Sequence, residues 1–122
     1  MFDKPIFIFT TDIDWASEHC IQTLLRAMQQ RGVIPTAFAT HESPVLAAAN
    51  AEGNVNVGLH PNFLPGSSHG DTREEVADHV FALFPESRSY RAHAMVDDSH
   101  ISMDMKARDI LYDSNLCLYL QA

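Results

Sequence analysis

With 122 residues and 46% hydrophobic composition, the chain is long enough for one domain with a real core. Its formal charge of −8 argues against nucleic acid or an anionic membrane as partner, since either would require a basic stripe. No apolar run approaches a membrane span and the N-terminus does not read as a signal peptide, so the sequence predicts a soluble, cytoplasmic protein without membrane insertion.

Ile6-Phe7-Ile8-Phe9-Thr10-Thr11-Asp12-Ile13-Asp14-Trp15 is an apolar run ending in two carboxylates. The run reads as a first strand buried on both faces. Side chains two apart on a strand share a face, so Asp12 and Asp14 are expected to look into one small volume. Two carboxylates held together repel, and a divalent cation relieves that repulsion.

Ser17-Glu18 then caps a helix running to about Arg31, with Ile21, Leu24, Leu25 and Met28 on one core-packing face and Gly32 as its stop. A second strand covers Thr36 to Thr40 and exits into His41-Glu42. Ser43 as N-cap and Pro44 at the first helical position open a short helix, Val45 to Ala51. Asn54 to Leu59 reads as a third strand exiting into His60. The loop from Pro61 to Gly70 is long and carries Asn62 and His69; Phe63 and Leu64 give it apolar groups to pack, which predicts order.

Asp71 or Thr72 caps a third helix, about Arg73 to Phe84, with Val76, Val80, Phe81 and Phe84 inward and Pro85 as its end. A fourth strand is expected over Ser89 to Ala94, placing Arg91 and His93 two apart. Asp97-Asp98 reads as a solvated turn. Ser102 is the expected cap of a fourth helix, Met103 to Tyr112, and Leu116 to Leu120 reads as a fifth strand. Cys20 and Cys117 lack CxxC spacing and read as free buried thiols in a reducing compartment.

Strict strand–helix alternation predicts a parallel α/β sheet with crossover helices. Such a sheet gathers its strand exits on one edge, bringing Asp12, Asp14, His41, His60, Arg91 and His93 together. One Asp with two His forms a common shell for catalytic zinc, and a second, uncoordinated carboxylate can serve as general base. Asp14, His60 and a further His suit the metal. His69, His93 and His100 are the candidates for that third position. Arg91 suits either an ion pair with Asp12 or Asp14 or a grip on substrate oxygens. His19 and His79, on helices, are expected to be solvent-exposed.

These residues resemble the polysaccharide deacetylases of the NodB-homology type, carbohydrate esterase family 4. That family has an acidic pair after its first strand, where this chain has Asp12 and Asp14. Its second strand resembles Arg31-Gly32-Val33-Ile34-Pro35-Thr36-Ala37-Phe38-Ala39-Thr40. Its histidine motif corresponds to Gly58-Leu59-His60-Pro61-Asn62-Phe63, and its Arg-x-Pro motif to Arg91-Ala92-His93. The overall pattern is most similar to a divergent branch, the WbmS-like deacetylases. The resemblance implies a distorted parallel (β/α) barrel, incomplete here at about five strand–helix units, with residues 1–122 forming one domain and the N-terminal part of a longer one. It implies a metal-dependent deacetylase acting on an N-acetylated sugar or polysaccharide. Asp12 would be the base, Arg91 its catalytic partner, Asp14, His60 and His69 the metal ligands, and His93 and Asn62 substrate-binding groups.

The chain departs from the family in three places. Ile13 separates the two acids, Leu64 stands where the family's second metal histidine would be, and His93 stands where it has proline. An incomplete barrel exposes a sheet edge, which predicts self-association. Two rival readings remain. A haloacid-dehalogenase-like phosphatase also carries Asp-x-Asp after a buried strand, although Ala16 stands where it needs Thr. The other is a non-catalytic metal- or carbohydrate-binding remnant.

Overall fold

A computed structural model describes residues 3–116. Five strands and four helices alternate: β1 Thr10–Asp12, α1 Glu18–Gln29, β2 Thr36–Ala39, α2 Pro44–Ala51, β3 Asn56–Leu59, α3 Arg73–Leu83, β4 Ser89–Tyr90, α4 Ser99–Ala107 and β5 Tyr112–Asp113. All the strand pairs are parallel and the sheet order is β1-β2-β3-β4-β5. An order that never reverses has no switch point, so the sheet is a barrel segment and not a doubly wound one.

The helices begin where short polar side chains meet orphan amides. Ser17 Oγ accepts from Cys20 N, Ser43 Oγ from Leu46 N, and Thr72 forms a full capping box with Glu75. Each cap is worth about 1 kcal/mol. Glu18 ties the first two helices together: its carboxylate accepts from Ser43 Oγ at 3.1 Å and Val45 N at 3.0 Å.

Register sorts the strands into two faces. Asp12, Phe38 and Gly58 are in register, and the pairing of Leu59 with Tyr90 sets Ser89 beside Gly58. This layer faces the concave side. The alternate layer packs under the helices in two clusters. One joins Ile13, Ile21, Ala37, Ala39, Leu46, Val55 and Val57; the other joins Leu59, Ala77, Val80, Tyr90, Ile101, Met105 and Ile110. Gly58 is small because the Phe38 ring lies over it. A Cβ there would press into that ring and come within 2.8 Å of Ser89 Oγ. Gly58→Ala is therefore expected to destabilise the fold by about 1–3 kcal/mol, as overpacking does. Urea unfolding measures it, and an unchanged midpoint would contradict this packing.

The sheet is strongly curled. Arg91, just past β4, bonds Asp12 and Thr10 on β1, three strands away. On a flat sheet that gap would be about 14 Å at roughly 4.8 Å per strand, beyond the reach of one arginine.

Several expectations need correction. The run Ile6–Phe9 is not a buried strand: these residues are 47–80% exposed, and β1 begins only at Thr10. Nothing among the described residues covers them. Strand geometry ends at Asp12; Asp14 has φ 34° and Trp15 φ 56°, while Ile13 turns into the core. The fourth strand stops at Tyr90 and gives way to a 3-10 turn over His93–Met95. Asp98, not Ser102, caps α4, because its carboxylate accepts from both His100 N and Ile101 N. That helix stops at Ala107, well before Tyr112, which instead pairs with Ser89 in β5. The expected strand Leu116 to Leu120 is not where β5 lies, and its residues 117–120 fall outside the described residues. Cys20 is an exposed thiol on α1; Cys117 falls outside the described residues.

Candidate metal centre

The backbone ladder continues beyond the strand ends and fixes the groups placed there. His60 N donates to Ala39 O, Arg91 N to Leu59 O, and His93 N to Pro61 O at 2.8 Å. Three side chains converge on one point. Asp14 Oδ1 lies 3.2 Å from His60 Nε2 and 2.9 Å from His93 Nδ1, and the two imidazole nitrogens are 3.4 Å apart. All three ligand atoms lie within 4.8 Å of one another. His60 is 1% exposed, while the Asp14 side chain is about half exposed, which leaves an open side.

The donor set fits a cation. The other nitrogen of His60, Nδ1, contacts the Arg91 carbonyl, which can only accept, so Nδ1 carries the proton. That leaves Nε2 as the nitrogen facing the Asp14 carboxylate, the atom available to a metal. A backbone carbonyl orienting the far nitrogen is the usual outer partner of a metal-binding histidine.

Beside this cluster stands an ion pair. Arg91 Nη1 donates to Asp12 Oδ1 at 2.9 Å. Three further donors are also engaged: Nη2 with Thr10 Oγ1 at 2.9 Å and Ser114 Oγ at 2.8 Å, and Nε with the Ser114 carbonyl at 3.3 Å. The guanidinium lies 4.5 Å from the centroid of the Phe38 ring. Asn115 Oδ1 accepts from Ala92 N at 2.7 Å, so the segment after β5 braces the backbone between Arg91 and His93. Reading the sequence did not single out Ser114, Asn115 or Thr10. The only signal was an Asp-Ser-Asn run of small polar residues, a composition shared by many turns.

The other expected site residues lie elsewhere. His69 is buried but outside the cluster: its Nδ1 accepts from Asn62 N at 3.1 Å, closing the Pro61–Gly70 loop on itself. Its ring stacks on exposed His79 at 4.7 Å, and its Nε2 has no partner among the described residues. Asn62 Oδ1 is taken by Leu64 N. His41 bonds Thr40 Oγ1, and His100 is exposed in the first turn of α4. His19 is exposed on α1.

Burial, reinforced by His79, pushes the His69 imidazole below its ordinary 6.5. Below that value the unfolded chain binds more protons than the folded one. The stability His69 contributes is therefore complete above pH 6.5 and fades as pH falls from there through the lower folded value. Urea unfolding across this range is expected to show the decline, and His69→Gln to flatten it. An equal slope in the variant would refute the assignment.

A family model described as WbmS-like polysaccharide deacetylase matches residues 9–122. The solved structure of WbmS from Bordetella bronchiseptica, assigned as a polysaccharide deacetylase involved in O-antigen biosynthesis, is 32% identical with a TM-score of 0.82. That match covers 89% of this chain but 46% of the other, so the chain spans less than half the relative's length. A carbohydrate esterase family 4 pseudoenzyme from Bacillus anthracis shares the fold at 13% identity and a TM-score of 0.61, over 91% of this chain and 43% of its own. A mutant of that pseudoenzyme, described as having restored enzymatic activity, matches at 14% identity and a TM-score of 0.62, over 92% and 45%. No curated protein matches. Among the described residues no helix is long and apolar enough to cross a membrane. Family match, fold and strand order agree, and the phosphatase alternative lacks its doubly wound sheet: the chain belongs to the WbmS-like polysaccharide deacetylases.

Proposed function

We propose that this chain carries the metal and base half of a deacetylase that hydrolyses the amide of an N-acetylated sugar or polysaccharide. The observation that carries the reading is the convergence of His60 and His93 on one oxygen of Asp14, with the Asp12–Arg91 pair beside it. Asp14, His60 and His93 would hold the ion, and an Asp-His-His set favours zinc. The chemistry such an ion supplies when bound is polarisation of an acyl oxygen and acidification of water.

This chain's own residues supply the proton handling. Arg91 occupies Asp12 Oδ1, leaving the second carboxylate oxygen to accept a proton from the attacking water. Arg91 is itself held on three sides and over Phe38, so Asp12 is presented in one orientation. The exposed flank of Asp14 leaves room for a sugar to approach.

The test is acetate release from N-acetylated hexosamines and their oligomers by the full-length gene product that contains this chain, with zinc, cobalt or nickel supplied. Metal-dependent release that a chelator stops is the expected result. Metal binding without release from any of these substrates would favour the non-catalytic reading, which the half-length match and the pseudoenzyme relative keep in play.

A further inference from the structure

Trp15, the chain's sole tryptophan, lies at the lip of the Asp14–His60–His93 cluster. A ring of this size ordinarily contributes to the core. Here it is 42% exposed although its neighbour Ile13 is 3% exposed. Its placement is built. Asp14 and Trp15 both take positive φ, at 34° and 56°, a conformation that strains a non-glycine residue. The amide of Trp15 donates to Thr40 Oγ1 at 3.0 Å, and Thr40 is 1% exposed. Ala16 N closes the turn onto Ile13 O at 2.7 Å.

The ring meets His93 edge-on at 5.3 Å between centroids and His69 at 5.6 Å, tilted by 47°. Two histidines thus pack against the ring, while Trp15 keeps 42% of its surface exposed. Covering His69 alone would not require a strained backbone or so large and so exposed a ring.

We infer that Trp15 is a stacking platform for the pyranose ring of the substrate, set so that a sugar lying on it carries its N-acetyl group toward the Asp14–His60–His93 cluster. A pyranose has an apolar C–H face that matches an aromatic face, and its hydroxyls remain free for the polar rim. Trp15 is a substrate-positioning residue in this assignment, which rests on the metal-site reading above.

Because Trp15 is the only tryptophan, its fluorescence reports this one position. The zinc-loaded chain is titrated with N-acetylglucosamine, N-acetylgalactosamine, N-acetylmannosamine and an N-acetylglucosamine tetramer. A saturable change in emission with at least one sugar is expected. Calorimetry on the variants should then show sugar affinity kept within about threefold in Trp15→Phe and lowered at least about tenfold in Trp15→Ala, with zinc affinity unchanged in both. Sugar affinity unchanged in Trp15→Ala overturns the assignment, as does a loss of zinc in that variant, which would make Trp15 a support for the metal loop. Zinc binding by the wild type with no response to any sugar overturns the platform alone. Failure of the wild type to bind zinc overturns the metal reading and this one with it.

Discussion

Replacing His93 with alanine is expected to lower zinc affinity by more than about 100-fold, exceeding what removal of an outer partner costs. Its Nδ1 is one of three ligand atoms within 4.8 Å, and no other imidazole joins Asp14 and His60 in that group among the described residues. His60→Ala and Asp14→Ala are expected to behave alike. His69→Gln provides the contrast. Its Nδ1 is committed to the Asn62 amide, so the variant should stay within roughly tenfold of wild type, the low end of outer-shell effects. Calorimetric zinc titration of the four variants decides the matter. Retained affinity in His93→Ala together with loss in His69→Gln would move the third ligand to the loop.

Asp12→Asn is expected to lower acetate release by about 10²–10⁴-fold, the usual worth of a general base, while zinc content stays full. The amide keeps the shape of the carboxylate but loses its charge and its capacity to take a proton. Arg91→Lys should also lose rate, because an ammonium cannot reproduce the fork that reaches Asp12, Thr10 and both Ser114 oxygens from over the Phe38 ring. Single-turnover measurements on zinc-saturated protein separate the chemical step from binding. An Asp12→Asn variant of wild-type rate would remove Asp12 from the mechanism.

The parts of the fold that were legible in the sequence are those set by local chemistry. Ser17, Ser43 and Thr72 cap their helices because each needs only an amide two or three residues ahead. The parallel α/β alternation followed from strands and helices each announced by their own pattern. Ile6–Phe9 was misleading because apolar character is local, whereas cover must come from elements distant in sequence. Asp98 and Ser102 both look like caps, and the choice fell to the carboxylate able to satisfy two amides.

In the site, His60 was readable as a polar group directly after a buried strand. His93 was readable only as one of three candidates for the third position, and its choice over His69 was not. It depends on a 3-10 turn in which Ala94 and Met95 both have φ 55°, and neither alanine nor methionine signals a left-handed conformation. Leu64 stands where the family has its second metal histidine, and the imidazole that meets His60 and Asp14 comes instead from the next strand's exit, 33 positions after His60.

That long reach has a kinetic consequence. Arg91 meets partners 79 and 81 residues away, and Asp14 meets His93 across 79. Contacts this distant bear a large loop-closure entropy and form late. A chain folded only as far as β3 has Asp14 and His60 but neither His93 nor Arg91, and so would offer the proposed ion only two of its three ligands. Full-affinity zinc uptake should therefore lag the recovery of helical signal during refolding, making the centre a marker of completed assembly rather than a nucleus for it.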